Sequence, residues 1–153
     1  MSSPIIGLIA HTGKPGAASL VKSLTEEFQR SNATLYLETA TAGLIGLESS
    51  LPISELSEQC DILVVLGGDG SILKVLHDLG PRVQPIFGIN IGSLGFLTCV
   101  SPPSHHDAVE SILAGSYVLS YRSLIEVSVE RMGEIVAQRT GLNDAVISRG
   151  EVS

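Results

Sequence analysis

The apolar positions of this chain change their period several times. Residues 5–10, IIGLIA, form an unbroken apolar run, and in the AASLVKSLTEEFQRS that follows, Leu20, Leu24 and Phe28 recur at helical spacing. A buried strand followed by an amphipathic helix is a β–α unit. TLYLE at 34–38 alternates like a second strand. Residues 39–58 are rich in Gly, Ser and Thr without a clear period and read as a surface excursion with room for one helical turn.

DILVVL at 61–66 is continuously apolar after its first residue, as expected of a central parallel strand covered on both faces. In SILKVLHDLGP, Ile72, Val75, Leu76 and Leu79 make one helical face, with Ser71 as the expected N-cap and Gly80-Pro81 as the stop. PIFGIN at 85–90 is a further strand, leading into IGSLGFLT. Strands alternating with helices predict an α/β fold with a parallel, Rossmann-like sheet, whose ligands sit at the carboxyl ends of the strands.

Beyond Pro102-Pro103 the pattern changes. SHHDAVESILAG predicts a helix, with Ser104 and Asp107 spaced as a capping pair and Gly115 past its end. From Tyr117 onward, YVLSYRSLIEVSVERMGEIVAQRTGLNDAVISRG reads as successive strands with a turn at Met132-Gly133. The expected organisation is an α/β nucleotide-binding domain over 1–101, then a helix and the first strands of an all-β domain over 102–153. About 35 β-rich residues are too few for a sandwich or barrel, so this second domain reads as incomplete.

Composition narrows the function classes. A chain of 153 residues with 44% hydrophobic residues suffices for one sizeable core. Its net charge of −7, from 16 acidic and 9 basic residues, argues against a nucleic-acid partner. No apolar run approaches the roughly 20 residues of a bilayer-spanning helix. The segment MSSPIIGLIAHTGKPG has no basic region of the kind that opens a secretory signal, so a cytoplasmic location without a membrane partner is expected. Cys60 and Cys99 have no metal-ligand spacing and read as core or near-core thiols. An anionic ligand must therefore be held locally, by backbone amides and a few cations.

Candidate chemistry concentrates where strands run out. In LVVLGGDGS, Gly67, Gly68 and Gly70 surround Asp69 at the mouth of a buried strand, with a helix beyond. Such glycines let the backbone turn tightly and let an anion approach the helix N–H groups. A carboxylate there suits accepting a proton from a hydroxyl undergoing phosphorylation or helping to hold a metal. The plainer alternative is a tight turn with Asp69 bonded to nearby backbone. Lys74, one turn into the helix, either reaches back to a phosphate or ribose or is simply solvated. HTGKPG is not a P-loop, since Pro15 follows Lys14; it reads as an ordinary loop, with the cradling of an anion at a helix start as the alternative, and His11, His77, His105 and His106 read as surface residues. NIGSLGFLT repeats the device: Asn90 ends a strand, Gly92 and Gly95 free the backbone, and Phe96 offers an apolar face to a base. Asn143-Asp144 interrupts the apolar GLNDAVISR, where an amide beside a carboxylate suits ribose hydroxyls and a β-bulge is the competing reading.

Together GGDGSILK at 67–74, NIGSLGFLT at 90–98 and LNDAVISRG at 142–150 resemble the NAD kinase family, in its order and at similar separations. The resemblance implies phosphorylation of the 2′-hydroxyl of the adenosine ribose of NAD, with ATP or polyphosphate as donor, to give NADP. It implies Asp69 as the catalytic proton acceptor or orienting group, and Gly70, Lys74, Phe96, Asn143 and Asp144 as NAD contacts. Gly67, Gly68, Gly92 and Gly95 would carry the turns beside the phosphates. Mg²⁺ or another divalent metal would be held mainly by the nucleotide phosphates, with no metal ligand expected on the protein. A homo-oligomer is implied at full length. Diacylglycerol kinases and 6-phosphofructokinases share the G-G-D-G turn, so a related lipid or sugar kinase is one alternative and a non-catalytic dinucleotide-binding module another. Family members continue for about another domain, including a Gly-Ser-Thr-Ala-Tyr type stretch. The expectation is therefore an incomplete portion with an open β edge and little or no kinase activity alone.

Overall fold

Four parallel strands take up the first apolar runs: β1 (Ile5–Ala10), β2 (Thr34–Leu37), β3 (Ile62–Gly67) and β4 (Ile86–Asn90), in the order β2-β1-β3-β4. They belong to a computed structural model that describes residues 3–31, 33–48, 50–92 and 95–147. Side chains alternate across a strand, so β3 supplies Ile62, Val64 and Leu66 to one core and Leu63 and Val65 to the other. Leu20, Val21, Leu24 and Phe28 of α1 (Ala17–Arg30) close the first core, joined by Val109 and Ile112 of α5 (His105–Leu113). The second is closed by Leu56 of α3 (Ile53–Gln59) and by Ile72, Val75 and Leu79 of α4 (Asp69–Leu79). All six residues of β3 are buried. Each large aliphatic side chain removed from water here contributes roughly 1.5–3 kcal/mol, which fixes the strand ends that carry the site.

Three local expectations are corrected. The stretch 39–58 holds two helices, α2 (Thr39–Gly43) and α3. The Glu38 carboxylate caps α2 by accepting the N–H groups of Ala40 and Thr41, each at 3.0 Å. In α3, Ile53 and Leu56 recur at helical spacing behind Pro52, and Leu56 is fully buried. Next, α4 starts at Asp69 rather than after Ser71, with Gly68 at its N-cap. Ser71 is the third helical residue, and its hydroxyl accepts the Gly68 N–H at 3.4 Å. Finally, Cys60 is buried and its thiol is pushed up to about 11, first by burial and then by Asp61, whereas Cys99 is exposed.

The chain divides into two compact units between Leu119 and Ser120, later than the boundary expected near residue 101. The reason is α5. Pro102-Pro103 opens a short 3₁₀ turn leading into this helix, and its buried Ala108, Val109 and Ile112 belong with the parallel sheet. Ser104 makes no side-chain capping bond.

The second unit contains an antiparallel hairpin, β5 (Ile125–Arg131) and β6 (Glu134–Gly141). Met132 (φ 54°) and Gly133 (φ 82°) form its two-residue turn, both at positive φ as a type I′ turn requires. Residues 117–124 form no strand, and β6 stops at Gly141. The expected strand through GLNDAVISR is thus absent over 142–147, which pair with no other strand among the described residues; 148–150 lie outside them. Among the described residues no helix is long and apolar enough to cross a membrane.

Candidate functional site

The chain leaves β1 for β2 on one side and later continues from β3 to β4 on the other, so the order of strands reverses between β1 and β3. Ligands of open α/β sheets bind at such a switch point, outside the carboxyl ends of the strands. A cleft of ≈ 670 Å³ lies there, bordered by His11, Thr12 and Lys14 after β1 and by Gly68, Gly70, Ser71 and Lys74 after β3. The last residue of β3 must be glycine. A Cβ on Gly67 would stand 2.1 Å from the Ser71 hydroxyl oxygen. Gly68 then leads the chain into α4, so that the helix begins beside the cleft that Gly68, Gly70 and Ser71 border.

Asp69 is the first helical residue, and its carboxylate reaches the loop after β4. One oxygen, Oδ2, accepts the Phe96 N–H at 2.8 Å, and the other, Oδ1, accepts the Leu97 N–H at 3.0 Å. Gly95 lies so close that a Cβ there would fall 2.1 Å from Oδ1 and 2.4 Å from Cγ, so no other residue fits without opening the contact. The Phe96 N–H, then that of Leu97, hold the carboxyl below its ordinary 3.8, with a smaller contribution from Thr98 and burial opposing them. The Ile91 N–H adds a second link by donating to the Gly67 carbonyl at 2.7 Å. Beyond the loop the chain returns along β4, where the Cys99 N–H reaches Gly88 O and the Asn90 N–H reaches Val100 O, both at 2.8 Å. A carboxylate among glycines therefore joins the two glycine loops. Its two oxygens are each held by a backbone N–H of the second loop, which favours the charged form.

Lys74 borders the cleft, but its ammonium pairs with Asp78 at 2.8 Å one turn along α4, and that hydrogen bond raises its pKa. The lysine side chain is 73% exposed, so water screens the pair and it yields readily to a ligand. Phe96 is 94% exposed; its backbone is fixed by Asp69 while its ring is free of the core. Gly92 adopts φ +136°, a conformation that favours glycine. The structure thus brings Gly67, Gly68, Asp69, Gly70, Lys74, Gly92, Gly95 and Phe96 to one end of the parallel sheet. Asn143 and Asp144 belong to the second unit, exposed and past the end of β6 rather than inside a strand. Ser93 and Leu94 of the second loop lie outside the described residues.

The sequence favours a plain loop around Lys14 over an anion cradle and gives no sign of Glu38. Lys14 follows β1, whose carboxyl end is next to that of β3, and this adjacency was the signal available. Glu38 borders the cleft with its carboxylate engaged in capping α2 and in accepting the Thr41 hydroxyl at 3.0 Å. Among the described residues no group of three His, Cys, Asp or Glu side chains is arranged to hold a metal ion.

Residues 6–117 match the family described as the ATP-NAD kinase N-terminal domain. The chain is 34% identical over 146 residues to an NAD kinase of Desulforamulus reducens, covering 95% of this chain and 51% of that protein. To an NAD kinase of Symbiobacterium thermophilum it is 35% identical over 148 residues, covering 96% and 52%. The crystal structure of yeast NADH kinase complexed with NADH superposes with a TM-score of 0.79 at 18% identity, over 92% of this chain and 47% of that one, a likeness of fold. The chain spans about half the length of the curated relatives it matches.

Proposed function

This chain belongs to the ATP-NAD kinase family, and on that premise we propose that it forms the part of an NAD kinase that receives the acceptor hydroxyl. The reaction is transfer of a phosphoryl group from ATP, or from polyphosphate, to the 2′-hydroxyl of the adenosine ribose of NAD, giving NADP. The observation that carries this reading is the Asp69 carboxylate, which joins the two glycine loops at the carboxyl ends of β3 and β4.

In this reading the 2′-hydroxyl donates to a remaining lone pair of Asp69, since each carboxylate oxygen has room for a second donor. A carboxylate already stabilised by backbone N–H groups is a weak base, so Asp69 orients the hydroxyl more than it deprotonates it early. That is sufficient for phosphoryl transfer, in which positioning and charge neutralisation supply most of the acceleration. The hydroxyl oxygen forms the new bond to phosphorus, the bond to the leaving phosphate oxygen breaks, and the hydroxyl proton passes to Asp69 or to water.

Gly68 and Gly70 keep the backbone low beside the phosphates, and Gly92 and Gly95 do the same in the second loop. Lys74 exchanges Asp78 for the dinucleotide, Phe96 presents its ring to the adenine, and the roles of Asn143 and Asp144 are those of adenosine contacts. The described residues offer no ligand set of their own for a divalent metal, so no step of this reading runs through one; an ion such as Mg²⁺ would arrive on the donor phosphates. The full-length enzyme acts as a homo-oligomer in the cytoplasm.

The test is an NADP-formation assay with Mg²⁺ and ATP on this chain and on the longest reading frame that contains it, with Asp69→Ala in each. The longer protein is expected to make NADP and its variant to lose most of that activity, while the 153-residue chain makes little. A longer protein that phosphorylates diacylglycerol or fructose 6-phosphate and leaves NAD untouched would overturn the reading.

A further inference from the structure

We propose that Lys14 is a phosphate-binding residue of the cleft, holding a phosphoanhydride over the first turn of α4. This deepens the kinase reading and rests on it for the class of ligand.

The argument begins with strand order. β3 separates β1 from β4, and neighbouring strands lie about 4.8 Å apart, so the ends of β1 and β4 are roughly 10 Å from one another. Lys14 stands in the turn after β1, yet its Nζ lies 3.4 Å from the position a Cβ would occupy on Gly92, in the loop after β4. Its side chain therefore crosses the mouth of β3, where Gly68 and Gly70 lead into α4. The turn that carries it is anchored to the sheet. The His11 N–H donates to Leu66 O at 2.8 Å and the Lys14 N–H to His11 O at 3.2 Å. The imidazole Nδ1 of His11 accepts the Gly13 N–H at 3.2 Å.

Charge bookkeeping singles out the same ammonium. Of the carboxylates that border the cleft, Asp78 pairs with Lys74, and Glu38 accepts the Ala40 and Thr41 N–H groups and the Thr41 hydroxyl. Among the described residues Lys14 forms no ion pair. The charged side chains bordering the cleft, Lys14 and Lys74 against Glu38 and Asp78, balance in a chain of net charge −7, and the Lys14 ammonium, in no ion pair among the described residues, is placed to meet an anion. An ammonium on a flexible stem suits a phosphate as a point charge, as the lysine of a P-loop does by a different route. Three sources share this chemistry: a nucleoside triphosphate, inorganic polyphosphate, and the pyrophosphate of a dinucleotide.

The experiment titrates inorganic tripolyphosphate, ATP and NAD separately into the chain and into Lys14→Met and Lys14→Arg, by calorimetry at two salt concentrations. Tripolyphosphate affinity is expected to fall roughly ten- to a hundredfold in Lys14→Met, to stay within a few-fold in Lys14→Arg, and to lose part of its salt dependence in the methionine variant. Melting temperatures should match throughout, because Lys14 is exposed. Loss for ATP and tripolyphosphate alone assigns the residue to the donor, and loss for NAD as well assigns it to the pyrophosphate. Wild-type protein that binds none of the three, Lys14→Met that binds all three unchanged, or equal losses in both variants would overturn the proposal. Lys14-dependent tripolyphosphate binding with no NADP formed by the longer reading frame would instead sink the kinase reading and leave this site standing.

Discussion

Strand β3 is buried at each of its six residues, whereas in the hairpin Ile125 and Val129 of β5 are 40% and 51% exposed, and Ile135 and Val136 of β6 are 64% and 54% exposed. The sequences differ in the same sense. ILVVLG is continuous because helices cover both its faces, while IEVSVER alternates as a strand with a single covered face would. In the first unit the demand for cover is met by α1 and α5 on one side and α3 and α4 on the other. The hairpin, taken by itself, has both faces open, and a lone two-stranded ribbon is marginal in water. The contrast marks where local geometry is set: the Asp69 carboxylate holds the Phe96 N–H and packs against Gly95, whereas Asn143 and Asp144 lie outside any strand.

The sharpest way to break this comparison is a pair of truncations. Leu63→Ala, at a fully buried position, should destabilise the chain by about 3–5 kcal/mol in urea unfolding followed by circular dichroism, whereas Val129→Ala should cost less than about 0.5 kcal/mol. Equal costs would mean that the hairpin is covered after all. Next in size is Gly95→Ala, whose methyl would overlap the Asp69 carboxylate. In the longest reading frame it should lower NADP formation by roughly a hundredfold through misplacement of the two loops. Activity within a few-fold of the parent would show that the loop contact is dispensable.

Two titrations follow. Asp69 ionises below its ordinary 3.8 in the folded chain, so the unfolded chain takes up its proton first as pH falls. The contribution of its loop contact is complete above about pH 3.8 and disappears as pH drops through the lower folded value; the amide shifts of Phe96 and Leu97 should report that step, and Asp69→Asn should remove it. His106 behaves in the opposite sense. Its pKa is raised from 6.5 first by the hydrogen bond to Glu27, which ties α5 to α1, so its contribution is full below about pH 6.5 and is lost as pH rises through the folded value. Glu27→Gln should return the imidazole midpoint toward 6.5 in a proton NMR titration, and a midpoint that does not move would reject the pairing. Smallest of all, Gly43→Ala in α2 meets no atom within 4 Å and should raise stability by about 0.5–1 kcal/mol.

Much of this was legible beforehand. The period switches marked β1, α1, β2, β3, α4, β4 and α5, because each is amphipathic or continuously apolar over several residues. The helices within 39–58 were hidden because α2 is defined by the Glu38 cap and α3 by Pro52 and a single buried Leu56, signals too short to make a period. The boundary was misjudged at Pro102-Pro103 because proline breaks a helix locally without ending a core, and Val109 and Ile112 return the chain to the first unit. Both glycine loops were found from composition, and the opposing readings of Asp69 prove compatible: it is bonded to backbone, as the plainer reading held, but to the backbone of the second loop. Only the folded chain reveals that link, since 27 residues separate Asp69 from Phe96. The loop at Lys14 ranks as a plain one in sequence, ahead of an anion cradle, because a lysine without the P-loop consensus gains weight only when strand order places it beside β3.

If Asp69 couples the two glycine loops into one dinucleotide site, as proposed, both loops respond to NAD together. The most direct measurement is a titration of NAD into isotope-labelled chain, following the amide signals of Gly68, Gly70, Phe96 and Leu97 in the parent and in Asp69→Ala. The account predicts that all four move along one saturation curve in the parent, and that in the variant NAD binds more weakly and the Phe96 and Leu97 signals no longer follow those of Gly68 and Gly70. Four signals that titrate together with unchanged affinity in Asp69→Ala would contradict it.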